Sequence, residues 1–203
     1  MPFDAIPVVS ALGPAAGHAE AGVTVDADPA SAAGRVDVTA GLTRALSVGA
    51  CGTWDGSPGA CGRAHWTALR GPLALGVDVT GSETAGGPAV GLGVDATVTA
   101  GRTTAIVDLD VAHRLVRGAD PVDLAVPLDV SVALGRWSVG GFALGRDLEA
   151  LFDDDDDADG GASGIVAPEV GVHVGPATAT AAPGLAVGHG LSPAVRAGLS
   201  FDF

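Results

Sequence analysis

The sharpest chemical feature of the chain is an acidic run, Asp153 to Asp157 followed by Ala158-Asp159-Gly160. Its spacing, Asp155-x-Asp157-x-Asp159-Gly160, matches the opening of a calcium loop, in which alternate carboxylates converge on a hard cation and the glycine permits a sharp turn. Counting on to the last ligand position of such a loop reaches Val166, where an EF-hand needs Glu, and helical patterning is absent on both sides. The run therefore reads either as a weak Ca²⁺ site at Asp155, Asp157 and Asp159 or as a solvated acidic loop, which most blocks of like charge are. No other cofactor is suggested. Cys51 and Cys61 bracket a turn-like stretch, Gly52-Thr-Trp-Asp-Gly-Ser-Pro-Gly-Ala60. Two cysteines around one tight loop read as a disulfide made in an oxidising compartment, against the alternative of two free, small apolar side chains. The histidines, His18, His65, His113, His173 and His189, form no close pair along the chain. Glu169 and His173 would share a strand face but lie about 13 Å apart along it. No nucleophile elbow is present, and Ser131 has no partner visible in the sequence. Gly91-x-Gly93 falls inside an alternating apolar run, so it is not a phosphate loop. The chain is not expected to be an enzyme.

The elements that must carry these residues are strands. Gly makes up 32 of 203 residues and Pro another 13, a composition hostile to helix interiors. A mean hydropathy of +0.40 argues against disorder. The formal charge of −14, with no basic patch, excludes nucleic-acid binding by phosphate neutralisation and adhesion to anionic lipid. No run of apolar residues is long enough for a transmembrane helix. Residues 5–16 are apolar enough for part of a secretory segment, and Ala19-Glu20-Ala21 fits a small-x-small cleavage site, but the basic start is missing. Residues 1–21 are accordingly either an N-terminal arm or a signal-peptide remnant, and residues 22–203 form the main domain.

Period-two alternation dominates that domain. It is clearest in Val90-Gly-Leu92-Gly-Val94-Asp-Ala96-Thr-Val98-Thr-Ala100 and in Leu124-Ala-Val126-Pro-Leu128-Asp-Val130-Ser-Val132. Helical spacing competes only near Leu148 to Phe152. Short connections such as Gly101-Arg102 and Gly135-Arg136 alternate strictly with long polar ones: Asp28 to Gly34, the cysteine loop, Gly81 to Pro88, His113 to Asp123, Leu148 to Gly164 and Gly188 to Ser192. The count predicts an antiparallel meander of about twelve strands, with ten as the fallback. A Greek-key sandwich would mix connection lengths at both ends, whereas an up-and-down transmembrane β-barrel has tight turns at one end and loops at the other.

The C-terminus, Pro193-Ala-Val195-Arg-Ala197-Gly-Leu199-Ser-Phe201-Asp-Phe203, alternates to a terminal aromatic. It resembles the last strand of bacterial outer-membrane β-barrel proteins, with Leu199, Phe201 and Phe203 in the places of the assembly signal. The resemblance is to an architecture and not to one family. It implies residence in the bacterial outer membrane, contact with outer-membrane lipid, and recognition by the barrel-assembly machinery. The aromatic girdles of that class are thin here: three Trp, five Phe and no Tyr.

The two faces of the strands also favour lipid outside. One face is Val, Leu and Ala, and the other is Gly, Thr, Ser, Asp and a few Arg. A wet strand face normally carries abundant Lys, Glu and Arg, whereas a crowded lumen needs small residues. Alternation places Asp26, Asp37, Asp78, Asp95, Asp108, Asp110, Asp129, Glu169 and Asp202 inside with Arg35, Arg63 and Arg196, nine acids against three bases. Two readings of that interior stand: a network of ion pairs filling a narrow lumen, or a cation-favouring path. The expected function is a small passive pore for small cations or solutes. The alternatives are a non-conducting structural or adhesive barrel and a soluble all-β structural protein, such as a viral shell or tube component.

Overall fold

The computed structural model describes residues 12–29, 31–54, 56–84, 87–115, 122–146, 163–187 and 191–203. Twelve strands follow one another: β1 (Ala19–Ala27), β2 (Ala32–Gly41), β3 (Leu46–Trp54), β4 (Pro58–Leu69), β5 (Leu73–Thr84), β6 (Gly87–Ala100), β7 (Thr103–Arg114), β8 (Val122–Leu134), β9 (Trp137–Arg146), β10 (Ser163–Val174), β11 (Ala177–Val187) and β12 (Leu191–Asp202). Each is antiparallel to its chain neighbours, and β1 pairs with β12 to close the barrel. Closure removes every sheet edge, the one way a sheet satisfies its backbone polar groups in hydrocarbon. Strands of 9 to 14 residues meet the roughly 9–11 tilted residues a bilayer core requires.

Burial is inverted relative to a soluble protein. Along β6, Val90, Leu92, Val94 and Val98 point out and are about half exposed, while Asp95 is fully buried. Val36 and Val38 on β2, Val107 and Leu109 on β7 and Val195 and Leu199 on β12 repeat the outward pattern. An outward Val–Leu band around a closed barrel has no aqueous explanation, since patches far smaller already mark lipid or partner surfaces. Aromatics collect at the end with the tight turns. Trp66, Trp137, Phe201 and Phe203 are exposed there, Arg136 lies 5.9 Å over the Trp137 ring, and Trp54 sits at the opposite end.

At the turn end, Gly101 and Gly135 open two-residue turns with φ of 63° and 71°, values that only glycine adopts freely. At the loop end, strands run into all six of the long connections expected from the sequence, and three are changed most. β5 runs to Thr84 and β6 starts at Gly87, so Gly81 to Pro88 is not a loop; β12 begins at Leu191 and not after Ser192. The cysteine loop is corrected too. Cys51 and Cys61 lie within β3 and β4 and face each other across the ladder as a disulfide, with Cα atoms 5.0 Å apart. Gly and Ser have the composition of turns, but the ladders run on through Gly52, Gly62, Gly81 and Ser82. The acidic run with Asp155, Asp157 and Asp159, and the weak helical pattern near Leu148, lie outside the described residues.

The barrel begins at Ala19. Just before it, the chain folds back inside. Ala16 bridges Gly41, Gly17 donates its N–H to the Gly41 carbonyl, and Pro14 is buried. A Cβ at Gly41 would collide with the Ala15 carbonyl, so that approach needs glycine.

Candidate functional site in the barrel lumen

The inward face divides into two halves. From β8 to β12 it is mostly apolar: Ala125, Phe142, Leu144, Ile165, Ala167, Ala182, Ala186 and Ala194 form one buried cluster, beside which Asp129 and Glu169 are half-buried. From β1 to β7 it is charged. The boundary is Arg196 on β12. Its guanidinium lies 3.9 Å over the Phe142 ring and donates Nε and Nη2 to the two oxygens of Asp26 at 2.6 and 2.8 Å. Asp26 and Arg196 are register partners across the β1–β12 seam, so the barrel closes on a buried bidentate ion pair, the strong form of this interaction.

On the far side, Arg63 of β4 donates Nη2 to Asp78 Oδ2 of β5 at 2.8 Å. His65, two residues on, reaches past β5 to Asp95 of β6, 3.2 Å from Nε2 to Oδ2. Gly76 lies in between, and a Cβ there would collide with both the imidazole and the carboxylate. Arg35 and Asp37 of β2 are a looser pair at 3.7 Å. At the loop end Arg114 binds Asp123 at 2.9 and 3.1 Å. Among the described residues, every ion pair joins residues of the same strand, of neighbouring strands, or of strands one apart. The pairs hug the wall and none spans the barrel.

The remaining acids differ from one another. Asp108 of β7 is fully buried opposite Asp95. Asp110 is half-buried beside it. Asp129 on β8 and Glu169 on β10 are half-buried and make no ion pair among the described residues. Asp202 is exposed at the turn-end rim of β12. His65 is a member of the charged wall that the sequence reading leaves out, because its partner is distant along the chain. Its parity with Cys61 and Arg63 is the signal that would have placed it there.

Leu12, Gly13 and Pro14 of the N-terminal segment, with Glu20, Arg35, Asp37, Ser47, Arg63 and His65, line a cavity of about 270 Å³ against the inner face of β1 to β4. Among the described residues, no ring of catalytic groups converges on it: Arg35 pairs with Asp37, Arg63 and His65 pair with Asp78 and Asp95 outside it, and Glu20 projects from the wall. What the arrangement offers is charge, held in a place that bulk water screens poorly.

No protein-family model and no curated protein sequence matches the chain. Solved structures do. The NanC porin superposes with a TM-score of 0.70 at 9% identity, over 90% of this chain and 98% of that one. The KdgM porin, solved in complex with disordered oligogalacturonate, gives 0.70 at 6% identity, over 91% and 99%. The Acinetobacter baumannii outer membrane protein Omp33 gives 0.61 at 10% identity, over 96% and 100%. The chain has the closed, twelve-stranded fold of bacterial outer-membrane β-barrel porins.

Proposed function

We propose that the protein is a passive pore of a bacterial outer membrane and that it favours small cations. The observation that carries the reading is the imbalance of charge on the inner wall. Arg63 and Arg196 are held by Asp78 and Asp26, and Arg35 has Asp37 beside it. Asp110, Asp129 and Glu169 remain half-buried with no ion pair among the described residues. A surplus of one sign in a confined, poorly screened channel concentrates counter-ions. Among the described residues no ion pair crosses from one side of the wall to the other. The outward Val–Leu band supplies the lipid contact, and a disulfide suits a protein that matures beyond the cytoplasm. KdgM was solved with an acidic oligosaccharide; an acid-rich wall makes such a solute a poor one here. Nothing in this reading asks the protein for bond chemistry, and it is not proposed as an enzyme.

The test is a KCl gradient across a planar bilayer holding the purified protein. The reversal potential should favour K⁺, and Asp110, Asp129 and Glu169 changed together to Ser should move it toward zero. Asp95 and Asp108 are poor probes of conduction because their side chains are sealed into the wall. A wild-type preference for Cl⁻ would refute the cation reading. One observation favours a non-conducting barrel instead: the segment Leu12–Pro14 lies inside the turn end. On that reading wild-type conductance is nil, and removal of residues 1–16 opens the pore.

A further inference from the structure

Three neighbouring strands bring four aspartates together. Gly93 of β6 is level with Asp78 on β5 and Asp110 on β7. A Cβ at Gly93 would press on the carboxylates of both, so glycine there lets the two acids lean toward each other. One step along, Asp95 and Asp108 are direct register partners. One carboxylate oxygen from each of Asp78, Asp108 and Asp110 lies within 4.8 Å of the other two.

The basic groups nearby leave the centre of this cluster unsatisfied. Arg63 takes Asp78 Oδ2 and His65 takes Asp95 Oδ2. Asp78 Oδ1, Asp95 Oδ1 and both oxygens of Asp108 are buried without a hydrogen-bond partner. Asp108 is fully buried. Across β7–β8 the pairs Val107↔Leu128 and Asp110↔Ala125 set Asp108 level with Pro127, which has no N–H to give. Four carboxylates thus face the guanidinium of Arg63 and the imidazole of His65, with Arg35 acting on Asp110 from farther off. Buried acceptors in native proteins are satisfied almost without exception, and an orphaned carboxylate calls for a cation.

We propose that Asp78, Asp108 and Asp110 form a binding site for a hard divalent cation, of which Ca²⁺ is the type, set into the inner wall across β5, β6 and β7. The donors are all anionic oxygens, the set that selects such ions over softer metals. Ligands about 2.3–2.6 Å from Ca²⁺ can stand up to about 5 Å apart across the ion, so the spacing of the triad admits it. Asp110, half-buried, is the side from which the ion enters and where water completes its shell. The site does not depend on the pore reading, since a closed barrel would hold the ion equally well. It is also separate from the acidic run at Asp155, Asp157 and Asp159.

The experiment uses the full-length protein folded in detergent micelles and stripped with EDTA, titrated with CaCl₂ by calorimetry and followed by thermal unfolding. The wild type, and a variant with Asp155, Asp157 and Asp159 all changed to Ser, should each bind one high-affinity Ca²⁺ per chain and unfold at a higher temperature with it. Asp108→Asn should lose at least tenfold in affinity and gain nothing from Ca²⁺. In EDTA the same variant should unfold at a higher temperature than the wild type, because it removes an unpaired buried charge. If Asp108→Asn does not fold, Asp110→Asn, at the less buried ligand, gives the same comparison of affinity. No response of the wild type to Ca²⁺ overturns the proposal. So does a response kept by the triad variants and lost with the acidic run.

Discussion

Replacing Arg196 with Leu tests whether the seam between the first and last strands depends on its ion pair. The wild-type guanidinium is 8% exposed and its partner carboxylate, Asp26, 1% exposed. Both carboxylate oxygens are engaged, at 2.6 and 2.8 Å. Deleting one partner of such a buried pair strands the other charge, at a cost of about 3–5 kcal/mol. Loss of the contact with Phe142, 3.9 Å away, adds up to about 2 kcal/mol for a desolvated cation–π pair. Arg196→Leu should therefore lose roughly 4–6 kcal/mol, the sum of those two effects with the overlap between them discounted. The double variant Asp26→Leu/Arg196→Leu should recover most of that, because apolar side chains of similar size often replace a buried pair without loss. Reversible urea unfolding in micelles, read by Trp fluorescence, measures both at constant m-value. The reasoning fails if the single variant costs less than about 1 kcal/mol, the worth of a surface pair. It also fails if the double variant is no more stable than the single one.

Other outcomes follow from the same geometry. Phe203→Ala should lower outer-membrane levels in cells much more than it impairs refolding in detergent, because burying one Phe is worth only about 1.5–3 kcal/mol and the Phe203 backbone still exchanges hydrogen bonds with Ala19; normal membrane levels would refute the assembly role. A protease site placed in the 147–162 connection should be cut on intact cells and one at Gly101-Arg102 protected, since strand parity puts the two at opposite ends; the reverse pattern would invert the sidedness. Changing Cys51 and Cys61 together to Ala should cost at most about 3 kcal/mol in the chain-entropy account of a short loop, measured by the same urea titration, because the two cysteines are only 10 positions apart. A larger loss would mean that the bridge also holds the register of β3 on β4.

Much of the fold is local in origin, and for that reason legible in the sequence. Side chains of a strand alternate between two faces, so Val90, Leu92 and Val94 against Asp95 already separate an apolar face from a polar one. Strand number and parity follow from counting such runs, as does the alternating terminus at Leu199, Phe201 and Phe203. Strand ends are less legible. The Gly and Ser residues of Gly81 to Thr84 and those between the cysteines serve equally in a turn or within a strand, and only pairing with the neighbouring strand decides between them.

Alternation along the chain assigns each residue to a side of the wall; register in the folded barrel decides which residues meet there. Register relates one strand to another and leaves no trace in any single strand. His65 and Asp95, thirty residues apart, meet because register sets Asp95 opposite Gly76, whose missing side chain leaves room for the His65 ring. Asp26 and Arg196, 170 apart, meet because the last strand returns to the first. The same register divides acids of identical pattern into different chemistries: Asp26 with a full partner, Asp129 half-open to the lumen, Asp108 sealed in the wall with both oxygens unmatched. Alternation cannot distinguish them, because it records only the direction in which a side chain points.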